Sequence, residues 1–199
     1  MHPLEIILEI DEKTFVWINS WAGSTPIIDG LVEWLSSDYL VPVTFSLILL
    51  GLWFGWRGEE MRERHQFGVL MAGLGIGIAN MFVKTSNSLY FRPRPFDTYE
   101  VNLLFYPPTD SSFPANPIAV TIAMASGVWL ANRKIGLTMY AIALAYGFSR
   151  IYAGVFYPGD VAGGLLFGIT AAYVSNISLK QLAIVRNKLL KLARFIILA

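Results

Sequence analysis

Residues 161–179 read VAGGLLFGITAAYVSNISL, a run free of Asp, Glu, Lys and Arg that approaches the ~20 apolar residues a helix needs to cross a bilayer core. Four more charge-free runs of at least 15 residues occupy positions 39–56, 66–83, 114–132 and 135–149. Working outward from these runs, the rest of the chain is equally short of charge. Of 199 residues, 55% are hydrophobic and 15% charged, against about a quarter charged in soluble domains. These features predict an all-α integral membrane protein with five crossing helices, or six if residues 27–37 also cross. An ordinary soluble domain and a disordered chain are excluded.

The ends of the chain read differently. Residues 3–19 (PLEIILEIDEKTFVWIN) place Leu4, Ile7, Leu8, Phe15 and Ile18 near helical spacing with acids between them, the pattern of an amphipathic helix lying in the interface. Acids at Glu5, Glu9, Asp11 and Glu12 argue against a cleavable signal peptide. Ser24-Thr25-Pro26 marks a break and a helix start. Residues 179–199 carry apolar Leu182, Val185, Leu189, Leu192 and Ile196 beside basic residues, predicting a tail helix on an anionic inner leaflet. The chain is thus expected to be one domain: an interfacial helix over 1–25, a bundle over 26–178 and a basic tail over 179–199.

The absence of cysteine excludes disulfides, thiolate metal sites and a thiol nucleophile. A formal net charge of +1 argues against a nucleic-acid partner. Basic residues concentrate in three segments, Arg57 to Arg64, Arg133-Lys134 and Lys180 to Arg194. By the positive-inside rule these segments and the C-terminus face the cytoplasm. The opposite side then holds the loop from Arg92 to Phe113 and the turn from Ile151 to Asp160.

On that outer side lie Arg92, Arg94 and Arg150. Arginine near a bilayer is costly and is kept where it pairs with a carboxylate or phosphate, though snorkelling to headgroups is an alternative. Arg92-Pro93-Arg94-Pro95 should end the preceding helix, because each proline removes a donor and restricts its predecessor. Ser111-Ser112-Phe113-Pro114 has the form of a helix entry, with a serine cap and a proline in the first turn. Ser149-Arg150 to Asp160 closes one run and opens the next.

The order and spacing of these three segments resemble the type 2 phosphatidic acid phosphatase superfamily. Within it, LYFRPRPF (89–96) and Ser149 to Asp160 are most similar to the bacterial undecaprenyl diphosphate phosphatases. The resemblance covers about residues 29–177 and implies a helical bundle with its site at the outer interface, a phosphohistidine intermediate and no metal or other cofactor. It also implies a membrane lipid with a phosphate headgroup as partner. Carried over position by position, Arg94-Pro95 matches the end of the first motif, but its lysine is Asn87. In the second motif, Phe113-Pro114 is followed by Ala115 and Asn116, and the histidine that protonates the leaving group is Pro117. In the third, Ser149, Arg150 and Asp160 match, but the nucleophilic histidine is Phe156.

Neither ring at 117 or 156 can attack phosphorus or carry a proton. The chain's histidines are His2 and His65; His65 is expected on the cytoplasmic side, a bilayer away from the motifs. Asp160, left without its imidazole, is expected to pair with Arg150 or to cap the following helix. Lys84, one turn before Asn87, either substitutes in part for the missing lysine or pairs with a nearby acid or carbonyl. The resulting phosphate-binding set is Lys84, Arg92, Arg94, Asn116, Ser149 and Arg150, with no assigned catalytic residue. The leading expectation is a catalytically impaired family member that binds an anionic lipid. The alternatives are a phosphatase using Ser149, Tyr157 or Asp160 as nucleophile, and a structural membrane subunit.

Overall fold

The computed structural model describes residues 3–55 and 58–183. All regular elements among the described residues are helices: α1 (Pro3–Asn19), α2 (Pro26–Leu35), α3 (Leu40–Phe54), α4 (Glu59–Leu89), a single turn α5 (Pro95–Thr98), α6 (Asn116–Ala131), α7 (Arg133–Tyr152) and α8 (Pro158–Gln181). Each of the five charge-free runs lies on one of the helices α3, α4, α6, α7 and α8. Much of the basic tail helix expected over 179–199, together with His2 and Arg57, lies outside the described residues.

By length and composition alone, fewer than five of the described helices qualify as crossings. Two described helices, α4 and α8, are long and apolar enough, and α2 with α3, bent by 50° at their junction, would make a third. The shortfall has a local cause. Helix α6 begins at Asn116, with Pro117 in its first turn, and ends at the Asn132 cap, leaving 16 helical residues, about 24 Å at 1.5 Å per residue. In α7 the polar ends Arg133, Lys134, Ser149 and Arg150 dilute a 20-residue helix.

Helix α6 is the axis of the bundle. Eleven of its residues are buried, and it packs against α4, α7 and α8. Between membrane helices there is little hydrophobic gain, so close backbone approach through small residues holds them together. A Cβ at Gly127 would stand 2.7 Å from the Ala72 nitrogen, and one at Gly168 2.6 Å from the Ala119 carbonyl oxygen. Glycine at these positions is what allows α4 and α8 to lie against α6.

Because the helices alternate, the motif segments gather at one end of the bundle: the exit of α4, the entry of α6, the exit of α7 and the entry of α8. His65 lies at the other end, its Nε2 3.5 Å from the Asn132 amide. The expected serine cap at 111–112 is not formed. Helix α6 starts at Asn116 without a side-chain cap, because Ser112 is drawn to the buried Asp160 carboxylate instead.

Helix α1 buries Phe15 and Ile18 against the bundle but leaves Ile7 and Leu8 of the expected apolar face exposed, together with Ile10 and Trp17. It is also fastened to the bundle. The Asn19 amide donates to the Asn102 and Tyr152 carbonyls at 3.0 and 2.9 Å and accepts from the Asn102 N–H.

Gly127→Val should overpack the α4–α6 contact and destabilise the protein by about 1–3 kcal/mol, whereas Gly73→Ala, where an added Cβ meets nothing within 4 Å, should be neutral or gain up to about 1 kcal/mol. Thermal unfolding of both variants in the same detergent checks the contrast.

Candidate functional site

The prolines of the first motif end α4 and leave residues 90–94 extended. This segment zips onto the second motif: the Arg92 N–H donates to Ser111 Oγ at 3.0 Å, and the Ser112 N–H to the Arg92 carbonyl at 2.9 Å. The Asn87 amide, with its nitrogen turned toward the Phe113 carbonyl, donates to it at 2.8 Å. The position where the family carries a lysine therefore ties α4 to the entry of α6.

The three arginines do not share one pocket. Arg92 lies between two carboxylates, donating from Nη1 to Asp160 and from Nη2 to Asp11, both at 2.7 Å, with its guanidinium carbon 4.1 Å from the Tyr157 ring centre. Asp160 is fully buried and also accepts from Ser112 Oγ and from the Tyr157 N–H. It caps α8, as expected, but its cationic partner is Arg92 rather than Arg150. The reason is reach: the extended 90–94 segment crosses the entry of α8, while Arg150 turns toward Asp38. Asp11 accepts in addition from the Gly159 N–H at 2.6 Å, which fixes α1 over the entry of α8.

Arg94 and Arg150 instead line one cavity of about 210 Å³, together with Asn116, Pro117 and Phe156. Arg94 donates from Nε to the Asp110 carbonyl (3.0 Å), from Nη1 to the Val155 carbonyl (3.1 Å) and from Nη2 to the Asp110 carboxylate (2.7 Å). Its guanidinium stacks over the Phe156 ring at 4.5 Å. Arg150 donates from Nη2 to Asp38 at 2.5 Å and to the Tyr146 hydroxyl at 2.8 Å, and lies over the Phe105 ring at 4.2 Å. The Tyr106 hydroxyl donates to the other Asp38 oxygen at 2.6 Å; that bond, with burial second, raises its pKa above the ordinary phenol value. Arg150 Nε and Asn116 Oδ1 are buried without a hydrogen-bond partner.

The remaining sequence candidates fall elsewhere. Lys84 is exposed on α4 and does not line the cavity. The Ser149 hydroxyl is buried and donates back to the Tyr146 carbonyl of its own helix. Tyr157 is buried beneath Arg92. Of the three nucleophiles considered from the sequence, none lines the arginine cavity.

Sequence reasoning missed the acids that face the arginines: Asp11, Asp38 and Asp110. A signal for them existed. Arginine at a membrane surface calls for an anion, and Asp110 directly precedes Ser111 while Asp38 sits in the Ser36-Ser37-Asp38 break. Glu12 was likewise unassigned; it accepts from the Tyr99 hydroxyl at 2.7 Å, and this bond, with burial second, pushes that phenol up to about 12.

Removing Arg92 while keeping Asp160 would strand a buried carboxylate, so Arg92→Met should cost about 3–5 kcal/mol. Asp160→Asn in the same background should recover much of that loss. A double-mutant cycle of unfolding midpoints measures both.

The PAP2 superfamily model matches residues 68–182. The undecaprenyl-diphosphatase BcrC of Bacillus subtilis is 32% identical over 163 residues, covering 81% of this chain and 80% of that protein. The crystal structure of Aquifex aeolicus LpxE superposes with a TM-score of 0.63 at 30% identity, over 82% of this chain and 92% of that one. The phosphatidylglycerolphosphate phosphatase of Bacillus subtilis shares the fold, with a TM-score of 0.66 at 18% identity over 88% and 87% of the two chains. Family match, identity over most of both chains, and the meeting of all three motif segments at one end of the bundle agree: this chain belongs to the PAP2 superfamily.

Proposed function

We propose that this chain is a catalytically impaired PAP2 membrane protein whose Arg94 and Arg150 hold the phosphate of an anionic lipid at the outer membrane interface. One observation carries the reading: both arginines line a single cavity with Pro117 and Phe156, the positions where the family places its histidines. The cavity keeps groups that bind an oxyanion and has no imidazole to cut it. Phosphoryl transfer needs a positioned nucleophile as well as charge neutralisation, and Asp160 has both oxygens engaged by Arg92, Ser112 and the Tyr157 N–H.

The unpartnered Arg150 N–H and Asn116 oxygen are a donor that a phosphate oxygen could accept from and an acceptor for a protonated one. Among lipids, a polyprenyl diphosphate is the class suggested by the name of the BcrC relative. The sidedness follows the basic residues, with the motif end extracytoplasmic and the C-terminus cytoplasmic. Five crossings remain the preferred topology, with α3, α6 and α7 completing the set begun by α4 and α8.

Two other readings have specific support. Each arginine already has an aspartate partner, which favours a purely structural role. The phosphatase name of the BcrC relative favours an enzyme with a different nucleophile. Titration with a prenyl diphosphate, alongside a phosphate-release assay, separates all three.

On the binding reading, Arg94→Ala and Arg150→Ala each weaken binding by about tenfold or more, the loss of one charge-assisted contact, and no phosphate is released. Binding unchanged in both variants supports the structural role. Turnover abolished by Asp160→Ala supports the enzyme and overturns the proposal.

A further inference from the structure

We infer that the groove between α1, the exit of α4 and the entry of α8 is a binding site for the aliphatic chain of a membrane phospholipid, separate from the arginine cavity. The inference goes beyond the proposed function and does not depend on it.

The groove encloses about 470 Å³, against about 210 Å³ for the arginine cavity, and none of its lining residues lines that cavity. Its walls are apolar: Ile7, Leu8 and Ile10 from α1, Tyr90 at the end of α4, Phe113 from the second motif and Pro158 at the start of α8. The charged members of the lining are already spent. Asp11 accepts from Arg92 Nη2 at 2.7 Å on one carboxylate oxygen and from the Gly159 N–H at 2.6 Å on the other. Arg92 gives Nη1 to Asp160, and the Thr14 hydroxyl donates to the Ile10 carbonyl at 2.7 Å. A charged headgroup seated here would break these bonds and strand a buried charge. A hydrocarbon chain breaks none of them, so the groove selects an uncharged, apolar occupant.

Position identifies that occupant. Helices α4 and α8 are the two described helices long and apolar enough to cross a membrane, and the groove lies between the end of one and the start of the other. At its rim Ile7, Ile10 and Tyr90 are each more than half exposed, as are the neighbouring Leu89 and Phe91, so the opening is apolar and continuous with the end of α4. Helical spacing puts Glu5, Glu9 and Glu12 on the edge of α1 away from Ile7 and Ile10, and Glu12 is held there by the Tyr99 hydroxyl. The acidic edge takes the water side and leaves the groove to the bilayer, where phospholipid chains are the abundant apolar molecules. Since lipid tails are as apolar as the walls, the preference for the groove over bulk lipid comes from packing into a fixed shape and is modest.

The test uses the full chain in phosphatidylcholine nanodiscs doped with a phosphatidylcholine whose chain carries a diazirine, the adducts being mapped by peptide mass spectrometry. Labelling of residues 7–14 and 90–92 is expected to exceed that of Leu166 and Tyr173, exposed on α8 outside the groove, by about threefold or more. Ile7→Gln with Ile10→Gln, both at exposed positions, should bring groove labelling down to the level of α8 and leave α8 unchanged. Thr14→Phe, which fills the groove with a ring instead of making it polar, should do the same.

Groove labelling no higher than that of α8 in wild type, or unchanged in both variants, overturns the inference, because chains then touch this face only as bulk lipid. Excess glycerophosphocholine, the headgroup without its chains, should have no effect; competition by it would assign the groove to a headgroup and overturn the inference. Arg94→Ala should leave groove labelling intact, whereas its loss there would make the groove part of the arginine cavity's site and overturn the separation.

Discussion

The Arg92 guanidinium, held between Asp160 and Asp11, is the contact on which the motif end of the bundle depends. Asp160 is fully buried, and a carboxylate out of water persists only with a cation and hydrogen bonds around it. Arg92 supplies the cation, and Ser112 and the Tyr157 N–H supply the bonds. In doing so they draw together the exit of α4, the entry of α6 and the entry of α8. Asp11 extends the same network to α1, so that helix is fastened to the motif end of the bundle.

Seen from this network, the positions that carry chemistry in the family have acquired structural tasks. Asn87 holds the Phe113 carbonyl, Pro117 sits in the first turn of α6 where a missing N–H costs nothing, and Phe156 forms the floor beneath Arg94. The two arginines that remain in the cavity are balanced by aspartates of the intervening loops. The charge of the cavity is thereby kept near neutral, two guanidinium groups against two carboxylates.

Much of this was legible in the sequence. The charge-free runs located α3, α4, α6, α7 and α8, and the Arg-Pro-Arg-Pro segment located the end of α4, because proline and charge act locally. The three motifs identified the end of the bundle that carries the site. What local reading could not supply was partner choice. Asp160 found Arg92 rather than Arg150, and Ser112 left the helix cap for Asp160, because the α4 exit and the α8 entry meet only in three dimensions. Asp38 and Asp110 lie 112 and 16 residues from their arginines, and neither belongs to a motif. The uncharged run 114–132 also outlasts its helix, since α6 covers only Asn116–Ala131 of it.

The engagement of Asp160 bears on what a substitution at 156 can achieve. An imidazole reintroduced at 156 would meet an aspartate whose two oxygens are already taken by Arg92, Ser112 and a backbone N–H. A Phe156→His change would therefore place an imidazole ring beside a carboxylate already committed to Arg92, Ser112 and the Tyr157 N–H, at the expense of the ring that supports Arg94. The buried network gives Asp160 the work of an anchor, and one substitution at 156 leaves that work unchanged.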